Sequence, residues 1–177
     1  MRRSCLMAAA LAPLFGLAAY DAAAQSDWTM FSSLDGQFSA VFPQAPEDNA
    51  DSGTSGGITA TTHILAASNP NVFCSVAYTD YTPQLNAAPR DEIEMSRANF
   101  LSQFHAMQID SHDSLLEHAP GDALPALAFS AANEEDLFKL FIAVNGSRSY
   151  MVLAASQKAD PHDADMDRCI AGFRLTR

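Results

Sequence analysis

The chain has 177 residues, 48% of them hydrophobic, and carries 10 Lys and Arg against 21 Asp and Glu for a formal net charge of −11. That surplus repels nucleic acid and anionic lipid head groups, so neither is expected as a partner, and a macromolecular partner is expected to be basic. The length allows one domain with a real hydrophobic core.

Met1-Arg2-Arg3-Ser4-Cys5 leads into an apolar run from Leu6 to Ala19 and then Ala22-Ala23-Ala24-Gln25. A basic start, a short apolar core and a small-residue end make a secretory signal peptide over 1–24. The run is too short to span a bilayer well, and no later stretch is apolar for long enough, so no integral membrane segment is expected after processing. Cys5 precedes the apolar core rather than following it, so no lipoprotein anchor is read. Residues 25–177 are expected as a single periplasmic or secreted domain. Two cysteines remain in it, Cys74 and Cys169. In an oxidising compartment they form one disulfide or pack as two small buried thiols, and sequence spacing leaves both readings open. A bridge between them would close a loop of about 95 residues and stabilise the fold by roughly 4–5 kcal/mol.

Strands dominate the order of elements. Trp28–Ser32 and Phe38–Phe42 flank Asp35-Gly36, a hairpin signal, and Pro43 and Pro46 end the second strand. Glu47–Gly57 is polar and glycine-rich and reads as a mobile loop. Ile58–Ala67 and Val72–Tyr81 read as strands, the latter with Val72, Cys74, Val76 and Tyr78 on one face. A helix is predicted from Pro89 to Met107, with Pro89 in its first turn and Ile93, Phe100, Leu101, Phe104 and Met107 along one stripe. Ile109–Glu117 is a strand candidate. Leu124–Ala132, Asp136–Val144 and Ser149–Ser156 read as three successive strands, with Glu134-Glu135 at one tip and Asn145-Gly146 at the other. Asp160-Pro161 opens a short helix whose apolar face holds Met166, Cys169, Ile170 and Phe173.

Several segments of this order have a counterpart in a known group. Trp28-Thr29-Met30-Phe31 leads to Gly36-Gln37-Phe38-Ser39-Ala40-Val41-Phe42-Pro43, with Pro46 close behind. A long helix follows the next hairpin. A late strand, Arg148-Ser149-Tyr150-Met151-Val152-Leu153, precedes a closing segment, Ile170-Ala171-Gly172-Phe173-Arg174-Leu175. The chain resembles the PsbP-like group, which includes the extrinsic photosystem II protein, a Ran-binding nuclear import factor and many small exported bacterial proteins. The resemblance implies an α+β fold, an antiparallel sheet packed against helices in an α/β/α sandwich. It implies topology far more than activity, because one fold hosts many functions.

Possible sites of chemistry each have a structural explanation. Gly53-Thr54-Ser55-Gly56-Gly57 superficially matches a serine-protease nucleophile loop, but His63 follows the serine and no oriented acid accompanies it. Asp160, His162 and Asp163 are the candidate metal ligands, in Asp160-Pro161-His162-Asp163-Ala164-Asp165-Met166-Asp167. Their spacing matches no calcium loop, and acidic residues in a first helical turn are explained by the helix dipole, with Asp160 able to cap it. His112 and His118 bracket Asp113 and Glu117 on a predicted strand, about 20 Å apart and too far for one ion. With no phosphate-cradling glycine loop, no Cys-x-x-Cys and no His-Glu-x-x-His, no catalytic residue and no cofactor is assigned. The leading expectation is an exported non-enzymatic module that binds a basic envelope protein or assists an envelope assembly. The alternative is a periplasmic small-ligand or metal-binding protein with a pocket between sheet and helix.

Overall fold

Alternation with a period of two runs through most of the chain, and in the computed structural model it resolves into sheets. The structure describes residues 28–84, 87–119 and 122–176; the leader expected at 1–24 lies outside them. Among the described residues there are ten strands: β1 (Thr29–Ser33), β2 (Phe38–Phe42), β3 (Glu47–Ser55), β4 (Ile58–Ser68), β5 (Phe73–Thr82), β6 (Met107–Ala119), β7 (Asp122–Ala132), β8 (Asp136–Asn145), β9 (Arg148–Gln157) and β10 (Arg174–Leu175). The two helices are α1 (Pro89–Gln103) and α2 (Asp163–Ala171). All strand pairs are antiparallel, in a three-stranded sheet β1-β2-β10 and a seven-stranded sheet β3-β4-β5-β9-β8-β7-β6.

The expected α/β/α sandwich is therefore corrected: the chain is mostly β, with two antiparallel sheets and two short helices. Three local causes account for the difference. First, Glu47–Gly57 is not a mobile loop. Gly56 and Gly57 both take positive φ, 57° and 81°, and Ser55 faces Ile58 across them. That is the pattern of a two-residue type I′ turn, and it lays β3 along β4 from Glu47 to Ser55. Second, α1 stops at Gln103 rather than Met107. His105 takes φ 50°, Ala106 N–H donates to Leu101 O at 3.0 Å and His105 N–H to Ser102 O at 3.4 Å. This is a Schellman ending with histidine where glycine is usual, so the stop lacks its ordinary signal. Met107 then begins the edge strand β6 and is exposed. Third, one face of the large sheet is covered by the small sheet together with α2, not by helices alone.

That face holds one of two cores. Phe38 and Phe42 of β2 meet Val76 and Tyr78 of β5, Tyr150 of β9 and Phe173 beyond α2, all buried. The Phe38 ring lies 6.1 Å from Tyr78 and 5.6 Å from Phe173, and Tyr150 lies 5.7 Å from Phe173. Edge and tilted contacts of this kind add about 0.5–1.5 kcal/mol each to simple burial. Gly36 is needed for close approach: a Cβ there would sit 2.6 Å from the Phe38 ring. The β1–β2 hairpin forms as expected, but its positive φ falls on Gln37 and not on Gly36. Cys74 and Cys169 are joined as a disulfide with Cα atoms 6.1 Å apart, tying β5 to α2 inside this core. The second core lies on the opposite face, where Ile93 and Phe100 of α1 pack on Leu127 and Phe129 of β7 and Leu140 and Ile142 of β8.

The strained helix stop gives a test. His105 is exposed, so His105→Gly removes only the left-handed backbone cost. It should raise stability by about 0.5–1 kcal/mol in denaturant unfolding, net of the extra freedom glycine has in the unfolded chain. A loss of stability would contradict the helix ending described.

Candidate functional site

The two faces of β5 differ in side-chain size. Cys74, Val76 and Tyr78 fill the first core, whereas Phe73, Ser75, Ala77, Thr79 and Tyr81 point the other way. On β9 the same opposite face presents Ser149, Met151, Leu153 and Ala155, and β4 adds Thr62 and Ile64. These are mostly small residues. Helix α1 covers them only in part, burying Leu153 of β9, because its aromatic anchor is set over β7 and β8: Phe100 lies 6.0 Å from Phe129 and 5.4 Å from Phe138, both edge-on. The partly covered strip becomes the floor of a groove of about 790 Å³, within the size range of small-molecule sites.

One wall is the α1 flank carrying Ser96, Asn99, Phe100 and Gln103, spaced to share a helix face. The groove follows β5 from Phe73 to Tyr81, about 26 Å at the usual strand rise. Ile64 and Phe73 remain 43% and 39% exposed there. Thr62 and Thr79 hydroxyls lie 2.8 Å apart across β4 and β5. At the Tyr81 end, the phenol donates to Glu92 Oε1 at 2.6 Å. Glu92 is buried, and its Oε2 has no hydrogen-bond partner among the described residues. Burial, then the hydrogen bond to Glu92 and the Glu92 charge, push the Tyr81 phenol up to about 12.

Residues singled out from the sequence lie elsewhere. The Cys74–Cys169 disulfide is on the far face of the sheet from the groove. Asp163 pairs with Lys139 Nζ at 3.0 Å, and Asp167 pairs with the same amine at 2.6 Å. His162 Nε2 lies 3.4 Å from Asp160. The helix starts at Asp163 with His162 at the cap position and no side-chain cap, so Asp160 does not cap it. Among the described residues, no group of three or more His, Cys, Asp or Glu side chains is placed to hold a metal.

Ser55 is exposed at the β3 turn. His63 instead stacks on Tyr78, with ring centroids 4.8 Å apart and Nδ1 3.5 Å from Asp48. Register places Ser55 opposite Ile58 and His63 opposite Ala50, so serine and histidine are separated by about 17 Å of strand. His112 is exposed on β6, and the His118 side chain lies outside the described residues. Asp113 pairs with Arg90 of α1. Glu134 and Glu135 sit at the β7–β8 turn, where Asn133 Oδ1 accepts the amides of Glu135 and Asp136.

Sequence reasoning offered a pocket between sheet and helix as its alternative but missed the residues that line the groove, because it followed only the large-residue face of β5. The complementary set Ser75, Ala77, Thr79 was the available signal: small side chains facing a helix leave space. No protein-family model matches the chain, and no curated protein is significantly similar to it.

The tyrosine environment has a measurable consequence. Tyr78, Tyr81 and Tyr150 are all shifted upward, each chiefly by burial. Because the folded state resists ionisation more than the unfolded chain, their contribution is complete below pH about 10 and is lost as pH rises through the folded values. Stability should fall between pH about 10 and 12, and Tyr81→Phe should flatten that decline. Urea unfolding across this range checks it; a decline unchanged in Tyr81→Phe would contradict the raised Tyr81 value.

Proposed function

We propose that the chain is an exported, non-enzymatic binding module of the periplasm or extracellular space. Two forms of that reading were open, docking of a basic envelope protein and capture of a small ligand. The groove favours the second. What supports it most is one observation, an open trough of about 790 Å³ whose floor mixes apolar and hydroxyl side chains on strands of a fixed sheet. Such a surface combines buried apolar area for affinity with a few hydrogen-bonding groups for orientation. The strands beneath it are held from behind by the disulfide and the aromatic core, so the floor is preorganised.

The protein-docking form rests on a different region. Leu34 is 91% exposed at the β1–β2 turn and Met30 is 70% exposed nearby on β1, within an acidic chain. A basic partner meeting that end would bind more weakly as salt rises. Among the described residues, no helix is long and apolar enough to cross a membrane. The PsbP-like relationship is proposed only on the Trp28–Phe31, Gly36–Pro43, Arg148–Leu153 and Ile170–Leu175 segments, without the sandwich it implied.

Nile red, an uncharged apolar dye, tests the ligand-binding form. Its fluorescence should rise with the native protein and saturate. Ala77 lies between Ile64 and Met151 on the groove floor, so Ala77→Trp should weaken dye affinity by at least about tenfold, or 1.4 kcal/mol. Leu34→Ser, remote from the groove, should leave it unchanged. Circular dichroism and a cooperative melt confirm folding of both. Equal binding by Ala77→Trp, or loss with Leu34→Ser, would contradict the assignment.

A further inference from the structure

The charge distribution around α1 narrows the ligand class. Its two flanks are chemically opposite. Arg90, Glu94 and Arg97 interact among themselves and toward β6: Arg90 with Glu94 at 3.0 Å and with Asp113, Arg97 with Glu94 at 2.8 Å and with Gln108 at 2.5 Å. The groove flank carries only hydroxyl, amide and aromatic groups, Ser96, Asn99, Gln103 and Phe100. Opposite them the floor offers Ser75, Thr79 and Ser149 beside Ile64, Met151 and Leu153. Asp136 is the one charged side chain among the described lining residues.

The described cations other than Lys158 are engaged away from this site. Arg148 holds Asp80 through Nε and Nη2 at 2.7 Å each, Lys139 holds Asp163 and Asp167, and Arg168 lies 4.7 Å from the Trp28 ring centre. Arg174 donates to the carbonyls of Ala171 and Phe173. Lys158, the described cation next to the groove, donates to Asn133 O and belongs to a neighbouring depression with Glu134 and Glu135 that shares Asp136 and Gln157 with the groove's end. An anionic head group over β5 and β9 would lose its hydration without meeting a described counter-charge, and at the end nearest Lys158 it would face Asp136, Glu134 and Glu135 as well. Amides and hydroxyls, by contrast, both donate and accept, and suit an uncharged polar head. A cationic head would have the half-buried Asp136 to pair with, an interaction worth little in water and salt, since the Glu92 carboxylate at the Tyr81 end is buried and already accepts from that phenol.

Resting on the reading of the groove as a ligand site, we propose that its ligand is a long-chain amphiphile with an uncharged, hydrogen-bonding head, and that the groove discriminates against fatty-acid-type anions. The apolar chain lies along Ile64, Ala77, Met151 and Leu153, and the head meets the hydroxyl and amide groups.

Displacement of Nile red by three twelve-carbon probes below their aggregation concentrations tests this: monolaurin, laurate and dodecyltrimethylammonium. Monolaurin should compete best, with laurate at least about tenfold weaker. Asp136→Lys and, separately, Gln103→Lys should narrow the laurate gap, because each puts a cation at the groove. Laurate or dodecyltrimethylammonium competing as well as monolaurin would overturn the head-group proposal while leaving a ligand groove in place. Failure of the dye and of all three probes, the latter measured directly by calorimetry, would overturn both.

Discussion

The adjacent strands β5 and β9 place unequal side chains on their two faces, and the remaining architecture follows from that inequality. Tyr78 pairs with Tyr150 and Val76 with Val152 on one side, while Ala77 pairs with Met151 and Ser75 with Leu153 on the other. The first side demands cover. Fully burying an aromatic or branched side chain is worth about 1.5–3 kcal/mol, and β2, α2 and Phe173 supply the apolar partners. The second side demands less along β5, because serine and alanine gain little from burial, while Leu153 of β9 is buried in the α1 core.

Two attachments hold the covered side in register. Arg148 reaches from β9 to Asp80 with two hydrogen bonds of 2.7 Å, lies 4.9 Å from the Tyr78 ring centre and donates to Asp35 O at 2.5 Å. Tyr150 donates to Gly36 O at 3.0 Å. These contacts bind the β1–β2 turn to the large sheet, and Asp80 holds the Arg148 guanidinium well above its ordinary value. At the other end of β5 the disulfide fixes α2. A sheet locked from behind presents its open face as a stable surface. Helix α1, drawn by Phe100 to Phe129 and Phe138, covers β7, β8 and Leu153 of β9, and leaves a groove along β5 beside it.

Much of this was legible in the sequence, and the exceptions have physical causes. Alternation located most strands within a few residues, and the pairing of Cys74 with the apolar face of the last helix was readable as one of two alternatives. Glu47–Ser55 was not readable as a strand, because all nine of its residues are exposed and none carries a burial pattern; only Gly56-Gly57 signalled its turn. The end of α1 was hidden because His105 performs a role that glycine usually announces. The expected sandwich overstated the helices, since the second layer on the aromatic face includes a small sheet closed by the two-residue β10. A pocket between sheet and helix was one of the readings, but the residues that line the groove were hidden for another reason. Hydrophobic patterning reports what packs, and a cavity is written in the residues that are too small to pack.

The account stands most directly on where a chain-like ligand touches the protein. With methyl-labelled protein and monolaurin, intermolecular nuclear Overhauser effects should connect the acyl chain to Ile64, Ala77, Met151 and Leu153. Contacts confined to Met30 and Leu34 on the opposite side of the sheet, with the groove methyls silent, would contradict it.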